Sequence, residues 1–379
     1  MRLLSTLKIE YEKYITMKSI LFSAFLLLSG FPVIAGNILN VGQGREYSVL
    51  SEAIKNVKPG DTIIIHEGIY GGRVEAYKNL AGEPDKYITI KAAPGSNVIF
   101  RGGATFQLSD VSYLNICGLI FEKQTLNGFN LDDGGTFDTP SHHIRFENCT
   151  FRDLDASGNN DLLKMSGVDD FEIINCTFKN GSKGGSGIDM VGCHNGLIKR
   201  CHFEDMGSNA IQAKGGTRFI CIEGNFFKNC GQRTLNLGGS TGLDFFRPNN
   251  ATFEAADIQA YSNIIIGSDA AVAFVGSQRV VVANNTIINP QKWVVRILQE
   301  TVNPRERFVK CGDNSFINNV IYRGNNISVD CNIGVDTNPE SFIFSGNTWY
   351  NPGNPQWNGP EGIPVKETGR IIGKEHGLY

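Results

Sequence analysis

The sequence lacks several features that would point to common functions. Its nine cysteines include no CxxC pair and its six histidines are scattered, so a zinc site has little support. Its formal net charge is only −3, which leaves no global basic field for nucleic acid. His142 and His143 are adjacent before a strand, where neighbouring side chains point to opposite faces, so a metal pair is not expected there. We therefore predict no nucleic-acid partner and assign no metal ligands.

Only one long apolar run is present, Ile20–Ala35, and it begins two residues after Lys18. A positive charge, an apolar stretch and small residues at the end are typical of a secretory signal. We interpret residues 1–36 as a signal peptide, with Met17 as an alternative true start. A membrane anchor is the rival interpretation, but Gly30 and Pro32 interrupt the run. The prediction is a secreted or periplasmic protein with no membrane attachment after cleavage.

Glycine is abundant, with 44 residues, which suits many tight turns between short strands. Near the start, Ser48–Asn56 has apolar residues at helical spacing, and Ser48 is a candidate N-cap. We predict a short helix there that closes one end of the core. The segment Pro59–Gly72 then reads as a turn, an apolar strand and glycine-rich turns. It resembles the opening of right-handed parallel β-helix proteins of the pectate-lyase-like superfamily, which implies an all-β solenoid.

A repeat becomes explicit after residue 111. Short segments end in an aromatic or aliphatic anchor, and the spacing between anchors varies, as expected when loops of different length join a constant coil. The anchors are Phe121, Phe151, Phe178, Phe203, Phe227, Ile265, Ile287, Ile321 and Trp349. The residues two places before them are Leu119, Cys149, Cys176, Cys201, Asn225, Asn263, Asn285, Asn319 and Asn347.

Because these residues recur at the same position in each repeat, we predict that they form side-chain ladders. In a parallel coil each rung lies about 4.8 Å above the last, so equivalent side chains stack. A turn asparagine can bond to the asparagine above it and to buried turn backbone. Three of the cysteines occupy the same column, so we predict free buried thiols there rather than disulfides.

A second strand follows each anchor after a loop, with clean alternation of apolar and polar residues. Its inward residues are predicted to be Leu163/Met165, Ile188/Met190, Ile211/Ala213, Leu235/Leu237, Val272/Phe274 and Val295/Ile297. Its outward column is predicted to be Asn130, Lys164, Asp189, Gln212, Asn236, Ala273 and Arg296. We expect one parallel β-helix domain over residues 37–351 and an irregular tail over residues 352–379.

Long loops flank this outward column, at Gly239–Glu254 and Gln299–Cys311. Loops of this kind build the walls of a groove, and Phe245, Phe246 and Trp293 could offer flat surfaces to sugar rings. In the pectate-lyase-like superfamily, the strand after the variable loop commonly carries the polysaccharide site. The resemblance therefore implies a polysaccharide site on this face.

The stretch NAIQAKGG followed by QRTLNLGG is also similar to the chondroitinase B and alginate lyase family. The resemblance places Lys214 on that family's catalytic base. It places the family's calcium-binding acidic pair at Gly207 and Asn209, which carry no charge, and the arginine of its next rung at Gly238. Calcium remains open as a cofactor, and none is assigned from these residues.

β-Elimination from a uronate needs a base for the proton next to the carboxylate and positive charge for the enolate that forms. We predict Lys214 as the base, with Arg233 binding the carboxylate and Asp189 in the same groove. Arg233 and Lys164 would lower the proton affinity of Lys214 by repulsion. The predicted substrate-binding residues are Lys164, Gln212, Asn236, Phe245, Phe246, Arg247, Trp293 and Arg296.

Two rival functions stay open. A glycoside hydrolase would use Asp132 or Asp133 together with Asp189, two rungs away, although Lys164 lies between them and is expected to pair with Asp189. A non-catalytic carbohydrate-binding or adhesion solenoid is the other rival. The favoured prediction is a monomeric lyase that cleaves an acidic polysaccharide, because the groove carries several basic residues on an acidic protein.

Overall fold

The computed structural model describes residues 36–71, 74–136, 138–354 and 356–373. The predicted signal peptide, with its alternative start at Met17, lies outside these residues except for Gly36. No helix in the described part of the chain is long and apolar enough to cross a membrane. Gly36–Tyr379 forms a unit of its own, built almost wholly of short parallel strands.

Three parallel sheets make up this unit in its described residues. Sheet A has fourteen strands: β1 (Ile38–Val41), β2 (Thr62–Ile65), β5 (Ile88–Ala92), β8 (Ser112–Cys117), β11 (Ser141–Glu147), β14 (Val168–Ile174), β17 (His194–Lys199), β20 (Thr217–Glu223), β23 (Ala255–Ala256), β24 (Gln259–Tyr261), β27 (Ser277–Gln278), β28 (Val281–Ala283), β31 (Ser315–Ile317) and β34 (Ile343–Ser345).

Sheet B has twelve strands: β3 (Gly68–Gly71), β6 (Val98–Arg101), β9 (Leu119–Glu122), β12 (Thr150–Arg152), β15 (Thr177–Lys179), β18 (His202–Glu204), β21 (Phe226–Lys228), β25 (Ile264–Ile266), β29 (Thr286–Ile288), β32 (Val320–Tyr322), β35 (Thr348–Tyr350) and β36 (Ile371–Gly373). Sheet C has ten strands: β4 (Glu75–Lys78), β7 (Phe106–Ser109), β10 (Phe129–Asp132), β13 (Leu163–Ser166), β16 (Ser186–Val191), β19 (Asn209–Lys214), β22 (Arg233–Gly238), β26 (Ala270–Val275), β30 (Trp293–Leu298) and β33 (Cys331–Ile333).

The chain visits sheets A, B and C in turn and then begins the next coil. This is the right-handed parallel β-helix that the resemblance implied, and the repeat predicted its solenoid form. The core therefore runs as one continuous apolar cluster along the axis. The sheet continues past the boundary expected at residue 351, because β36 pairs with β35.

The helix α1 spans Leu50–Ile54, and its Leu50 and Ala53 are buried in the core near the start of the solenoid. Ser48 is not its N-cap, because Val49 occupies that position without a side-chain bond. Ser48 instead donates from its backbone nitrogen and its hydroxyl to Glu52 Oε2, both at 2.9 Å. The described residues also form two short 3-10 helices, Leu243–Phe245 and Pro339–Ser341.

The predicted asparagine ladder is present at the turn between sheets A and B. Nδ2 of Asn225, Asn263, Asn285 and Asn319 each donates to Oδ1 of the next ladder residue, at 3.0, 2.9, 3.0 and 3.0 Å. The same oxygens accept the backbone N–H groups of the rung below. The turn residue before each ladder position has a left-handed backbone, as at Asn284 with φ 55°. Buried turn backbone is thus satisfied rung by rung.

Cysteines and phenylalanines continue these columns towards the start of the chain. Cys149, Cys176 and Cys201 are buried and free, as predicted. The ring centroids of Phe151, Phe178 and Phe203 lie 5.0 and 4.6 Å apart with planes 6° from parallel. Stacked apolar side chains of similar size on successive rungs pack closely along the narrow coil.

The outward column of sheet C has the predicted register throughout. Asn130 pairs with Lys164, then Asp189, Gln212, Asn236, Ala273 and Arg296 follow on successive strands. The alternate residues, such as Leu235 and Ile211, are fully buried. Strand side chains alternate with period two, so this register decides which residues can reach the surface.

Candidate active site

A pocket of about 430 Å³ opens where the strands of sheet C end. Asp132 of β10, Ser166 of β13, Val191 of β16 and Lys214 of β19 form a second outward column at these ends. The loop after β22 supplies the opposite wall. The lining residues are Asp132, Asp133, Gly135, Lys164, Ser166, Val191, Lys214, Ser240, Thr241, Gly242, Phe245 and Arg247.

Two lysines of the pocket share one buried carboxylate. Lys164 Nζ and Lys214 Nζ both contact Asp189 Oδ2, the second at 3.5 Å. Only 1% of the Asp189 side chain is exposed, so Asp189 lies beneath the pocket and positions the lysines. The predicted Lys164–Asp189 pair is present. Burial alone would lower the pKa of Lys164, but the charge of Asp189 and then that of Asp161 raise it overall.

A further carboxyl group, Asp161, is buried under the same lysines. Its Oδ1 accepts the backbone N–H of Ser186 at 2.7 Å, and its Oδ2 lies 3.9 Å from Lys164 Nζ. Burial, then the charge of Asp189, raises the pKa of Asp161 to about 7. Sequence reasoning missed Asp161, because it comes one place before the alternating strand pattern begins.

Asp132 and Asp133, two carboxylates of the rival hydrolase mechanism, already accept hydrogen bonds from protein groups. Asp132 Oδ2 accepts from Gln107 and Asn130, both at 2.8 Å, and its Oδ1 accepts the N–H of Gly134 at 2.9 Å. Asp133 is 1% exposed and accepts two N–H groups of Arg247, one of them from Nη2 at 2.9 Å. A hydrolase needs one of its carboxyl groups as a free proton donor at the substrate. The hydrogen bonds to Asp132 and Asp133 therefore do not favour the glycoside hydrolase.

The loop wall is anchored by one buried carboxylate, Glu254. Its Oε2 accepts the N–H of Gly215 and the hydroxyl of Thr241, both at 2.7 Å. Its Oε1 accepts the N–H of Thr241 at 2.9 Å and the hydroxyl of Thr301. The anchor thus ties the pocket loop to the residue that follows Lys214. No periodic pattern in the sequence marks Glu254, so it was not predicted.

The two phenylalanines of this loop have different places. Phe245 is 62% exposed and lines the pocket, and its contact with a sugar stays a prediction. Phe246 is fully buried and packs against Phe308 and Ala251 in a small separate cluster. The prediction that Phe246 offers a surface to sugar rings is therefore wrong, because the loop folds its ring inwards.

Arg233 does not lie beside Lys214, and it is bonded to protein side chains. It begins β22, whereas Lys214 ends β19, and its guanidinium donates to Asn236 Oδ1 at 3.2 Å and to Glu300 Oε1 at 2.7 Å. The charged partner found for Lys214 is Asp189. Asn236 is only 2% exposed, so it supports Arg233 from below instead of meeting solvent as predicted.

Of the other predicted contact residues, Gln212 is half-buried and its Oε1 accepts from Asn209 Nδ2 at 3.2 Å. Trp293 and Arg296 form a stacked pair, with the guanidinium carbon 4.3 Å from the ring centroid. The pocket thus unites Lys164, Lys214, Phe245 and Arg247. The pair of Trp293 and Arg296 lies further along sheet C with Arg233.

The positions that the resemblance assigns to calcium do not fit the ion. A Cβ on Gly207 would lie 2.1 Å from the carbonyl oxygen of Ser182, so no acidic side chain can stand there. Asn209 Nδ2 donates to Ser186, Ser208 and Gln212, and the amide carries no negative charge for the ion. The described residues contain no group of three histidine, cysteine or acidic side chains able to hold a metal.

The family's arginine position is also closed. Gly238 has φ 122°, and a Cβ there would lie 1.7 Å from the carbonyl oxygen of Val275. No side chain can therefore replace the hydrogen of Gly238 at this position. Positive charge at the pocket comes instead from Lys164 and from Arg247 of the following loop.

The three sheets define a parallel β-helix protein, and the pocket with its lysines lies where the strands of sheet C end. A family model for chondroitinase B matches residues 45–296, which is well over half of the chain. The chain therefore belongs to the chondroitinase B family, and the predicted enzyme class, a polysaccharide lyase, is confirmed at this level. No curated protein sequence matches the chain.

Solved structures share the fold. An alginate lyase from Paenibacillus sp. str. FPU-7 has a TM-score of 0.56 at 19% identity, covering 80% of this chain and 99% of its own. Pectate lyase Pel9A has a TM-score of 0.56 at 14% identity, with 86% and 81% covered. PfbA, a surface adhesin of Streptococcus pneumoniae, has a TM-score of 0.52 at 11% identity, with 79% and 84% covered. At these identities the likeness concerns the fold alone.

Proposed function

We propose that the protein is a secreted or periplasmic lyase that cleaves an acidic, uronate-containing polysaccharide by β-elimination at the pocket of sheet C. The observation that carries this proposal is the placement of Lys164, Lys214 and Arg247 around one cavity, while the nearby carboxylates are buried or held by donors. The pocket carries Lys164, Lys214 and Arg247 against Asp132 and Asp133, and this excess of positive side chains on a protein of net charge −3 favours an anionic ligand over a neutral glycan.

Lys214 is the proposed base. Its amine takes the proton from the carbon next to the uronate carboxylate, and the electron pair left behind is stabilised as an enolate. The bond to the leaving oxygen then breaks, a carbon–carbon double bond forms, and the leaving oxygen takes up a proton from water. Lys214 returns its own proton to the solvent before the next turnover. Asp189 keeps Lys164 as its partner when Lys214 is neutral, so the buried carboxylate does not lose its counter-charge.

Arg247 and Lys164 are proposed to stabilise the developing charge. The guanidinium of Arg247 is held by Asp133 through Nε and Nη2 and by the carbonyl of Phe245 through Nη1, so it keeps a positive charge fixed at the wall of the pocket. Lys164 adds a point charge from the floor of the pocket. Phe245 offers an exposed ring to the apolar face of a sugar. No step is assigned to calcium, because the residues at the expected place do not fit it.

The test is to incubate the purified protein with a panel of uronate polymers and follow the ultraviolet absorbance of the unsaturated product. Lys214→Ala should reduce turnover by about 10²–10⁴-fold, the usual worth of a positioned base. Lys228→Ala removes a lysine of sheet B that pairs with Glu204, and should leave turnover unchanged. A folded Lys214→Ala protein with the full rate on a polymer that the parent cleaves would move the base to another residue.

A further inference from the structure

A second basic site lies further along sheet C, outside the pocket. Its residues are Arg233, Asn236, Trp293, Arg296, Glu300 and Asn332, and we call them the distal cluster. Arg296 stands three strands beyond β19, which carries Lys214, so the two positions are roughly 14 Å apart along the axis. Ala273 occupies the outward position between Asn236 and Arg296, and it is fully buried.

The guanidinium of Arg296 is held in place, but not all of its hydrogen-bond donors have a partner. Its Nε donates to Asn332 Oδ1 at 3.0 Å, and its plane lies over the Trp293 ring at 4.3 Å. In the described part of the chain, no protein acceptor bonds to its two terminal nitrogens and no carboxylate lies within ion-pairing distance of it. A fixed planar fork with unfilled donors is the geometry that binds a carboxylate or sulfate group in a bidentate way.

The charges of the distal cluster are not balanced. Arg233 and Arg296 bring two positive charges, and Glu300 brings one negative charge, bonded to Arg233 Nη2 at 2.7 Å. The nearby Asp269, whose charge also acts on Arg296, is paired with Lys292. Arg233 Nε is buried without a hydrogen-bond partner. Burial, and then the charge of Arg233, lowers the pKa of Arg296, so the two guanidinium groups are close enough to repel. An anion bound between them would relieve this repulsion.

We propose that the distal cluster is a binding subsite for an anionic group, a carboxylate or sulfate, on a sugar several units away from the bond that is cleaved. This inference rests on the proposed function for the identity of the polymer, but its evidence is the unsatisfied guanidinium donors of the cluster. The subsite makes long acidic chains better ligands than short ones, because only a long chain can fill the pocket and the distal cluster together.

The experiment measures binding without cleavage. Acidic oligosaccharides are titrated calorimetrically into the full-length Lys214→Ala protein, as a trisaccharide and as an octasaccharide of the same uronate. Adding Arg296→Ala should weaken octasaccharide binding about tenfold or more, the usual worth of hydrogen bonds to a charged group, and should leave trisaccharide binding unchanged. Arg279→Ala, which removes an exposed arginine between β27 and β28 that is paired with Asp257, is the matched control.

The outcomes separate this inference from the proposed function. Loss of octasaccharide affinity with an unsulfated uronate identifies carboxylate as the ligand, and loss confined to a sulfated chain identifies sulfate. Equal loss for both lengths, no loss, or no binding of any acidic octasaccharide overturns the distal subsite. Failure of the parent protein to release unsaturated product overturns the lyase instead, and it leaves the length-dependent binding result standing.

Discussion

At the scale of the residue, the buried carboxyl group of Asp161 carries the clearest pH dependence. Burial and the neighbouring Asp189 raise its pKa to about 7, well above the ordinary value of 3.8. The folded protein therefore holds this proton more tightly than the unfolded chain does. Stability from this group is complete below about pH 4 and is lost as pH rises through about 7.

Asp161→Asn should remove this titration. Asparagine keeps an oxygen for the N–H of Ser186 but cannot ionise, so the fall in unfolding free energy between pH 4 and pH 7 should become shallower, with each pKa unit worth about 1.4 kcal/mol. Urea denaturation across this range is the measurement. Asp205→Asn changes an exposed aspartate and should leave the slope as it is. An unchanged slope in Asp161→Asn would assign the pH dependence to other groups.

At the scale of the element, the hydrogen bonds that Glu254 accepts hold the loop from Gly239 to Glu254 in its conformation. A carboxylate can accept all four hydrogen bonds that it receives, from Gly215, twice from Thr241 and from Thr301. An amide at the same place must turn its NH₂ group towards two of these donors. The loop carries Phe245 and Arg247 of the pocket wall, so its anchor controls the site indirectly.

Glu254→Gln should therefore loosen the loop. Two lost bonds in a buried place should cost on the order of 2–4 kcal/mol, and the amides of Gly215 and Thr241 should exchange faster with deuterium. Limited proteolysis should cut the loop sooner than in the parent protein. Glu306→Gln alters an exposed glutamate of the other long loop and should show neither effect. Normal exchange at Gly215 in Glu254→Gln would show that the loop does not depend on this carboxylate.

Elements of the coil could be predicted from the sequence, and elements of the loops could not. The strand register follows from alternation with period two, so Lys164, Asp189 and Gln212 fell on one outward column as expected. Loops have no such period. The bond from Arg247 to Asp133 spans 114 positions, and the inward turn of Phe246 depends on Phe308 of another loop. The pocket wall therefore had to come from the structure.

At the scale of the whole molecule, the solenoid is a stack in which each coil contacts mainly its neighbours. Stability in such a stack is close to a sum of coil and interface contributions, and a weak coil can open by itself. The asparagine ladder ties these coils together. Asn285 lies inside it, bonded to Asn263 below and to Asn319 above, and it also donates to the carbonyl of Ala260 at 3.0 Å.

Asn285→Ala should therefore weaken the molecule locally. The N–H and Nδ2 groups of Asn263 and the carbonyl of Ala260 would lose buried partners, at a cost on the order of 2–5 kcal/mol. Hydrogen exchange should accelerate in β24, β28 and β31, while β8 and β11 near the start keep the parent rates. Asn97→Ala, an exposed asparagine outside the ladder, should alter no coil. Equal acceleration in β8 and β31 would mean that the solenoid unfolds as one cooperative unit, so that damage at a single rung is transmitted to the pocket of sheet C.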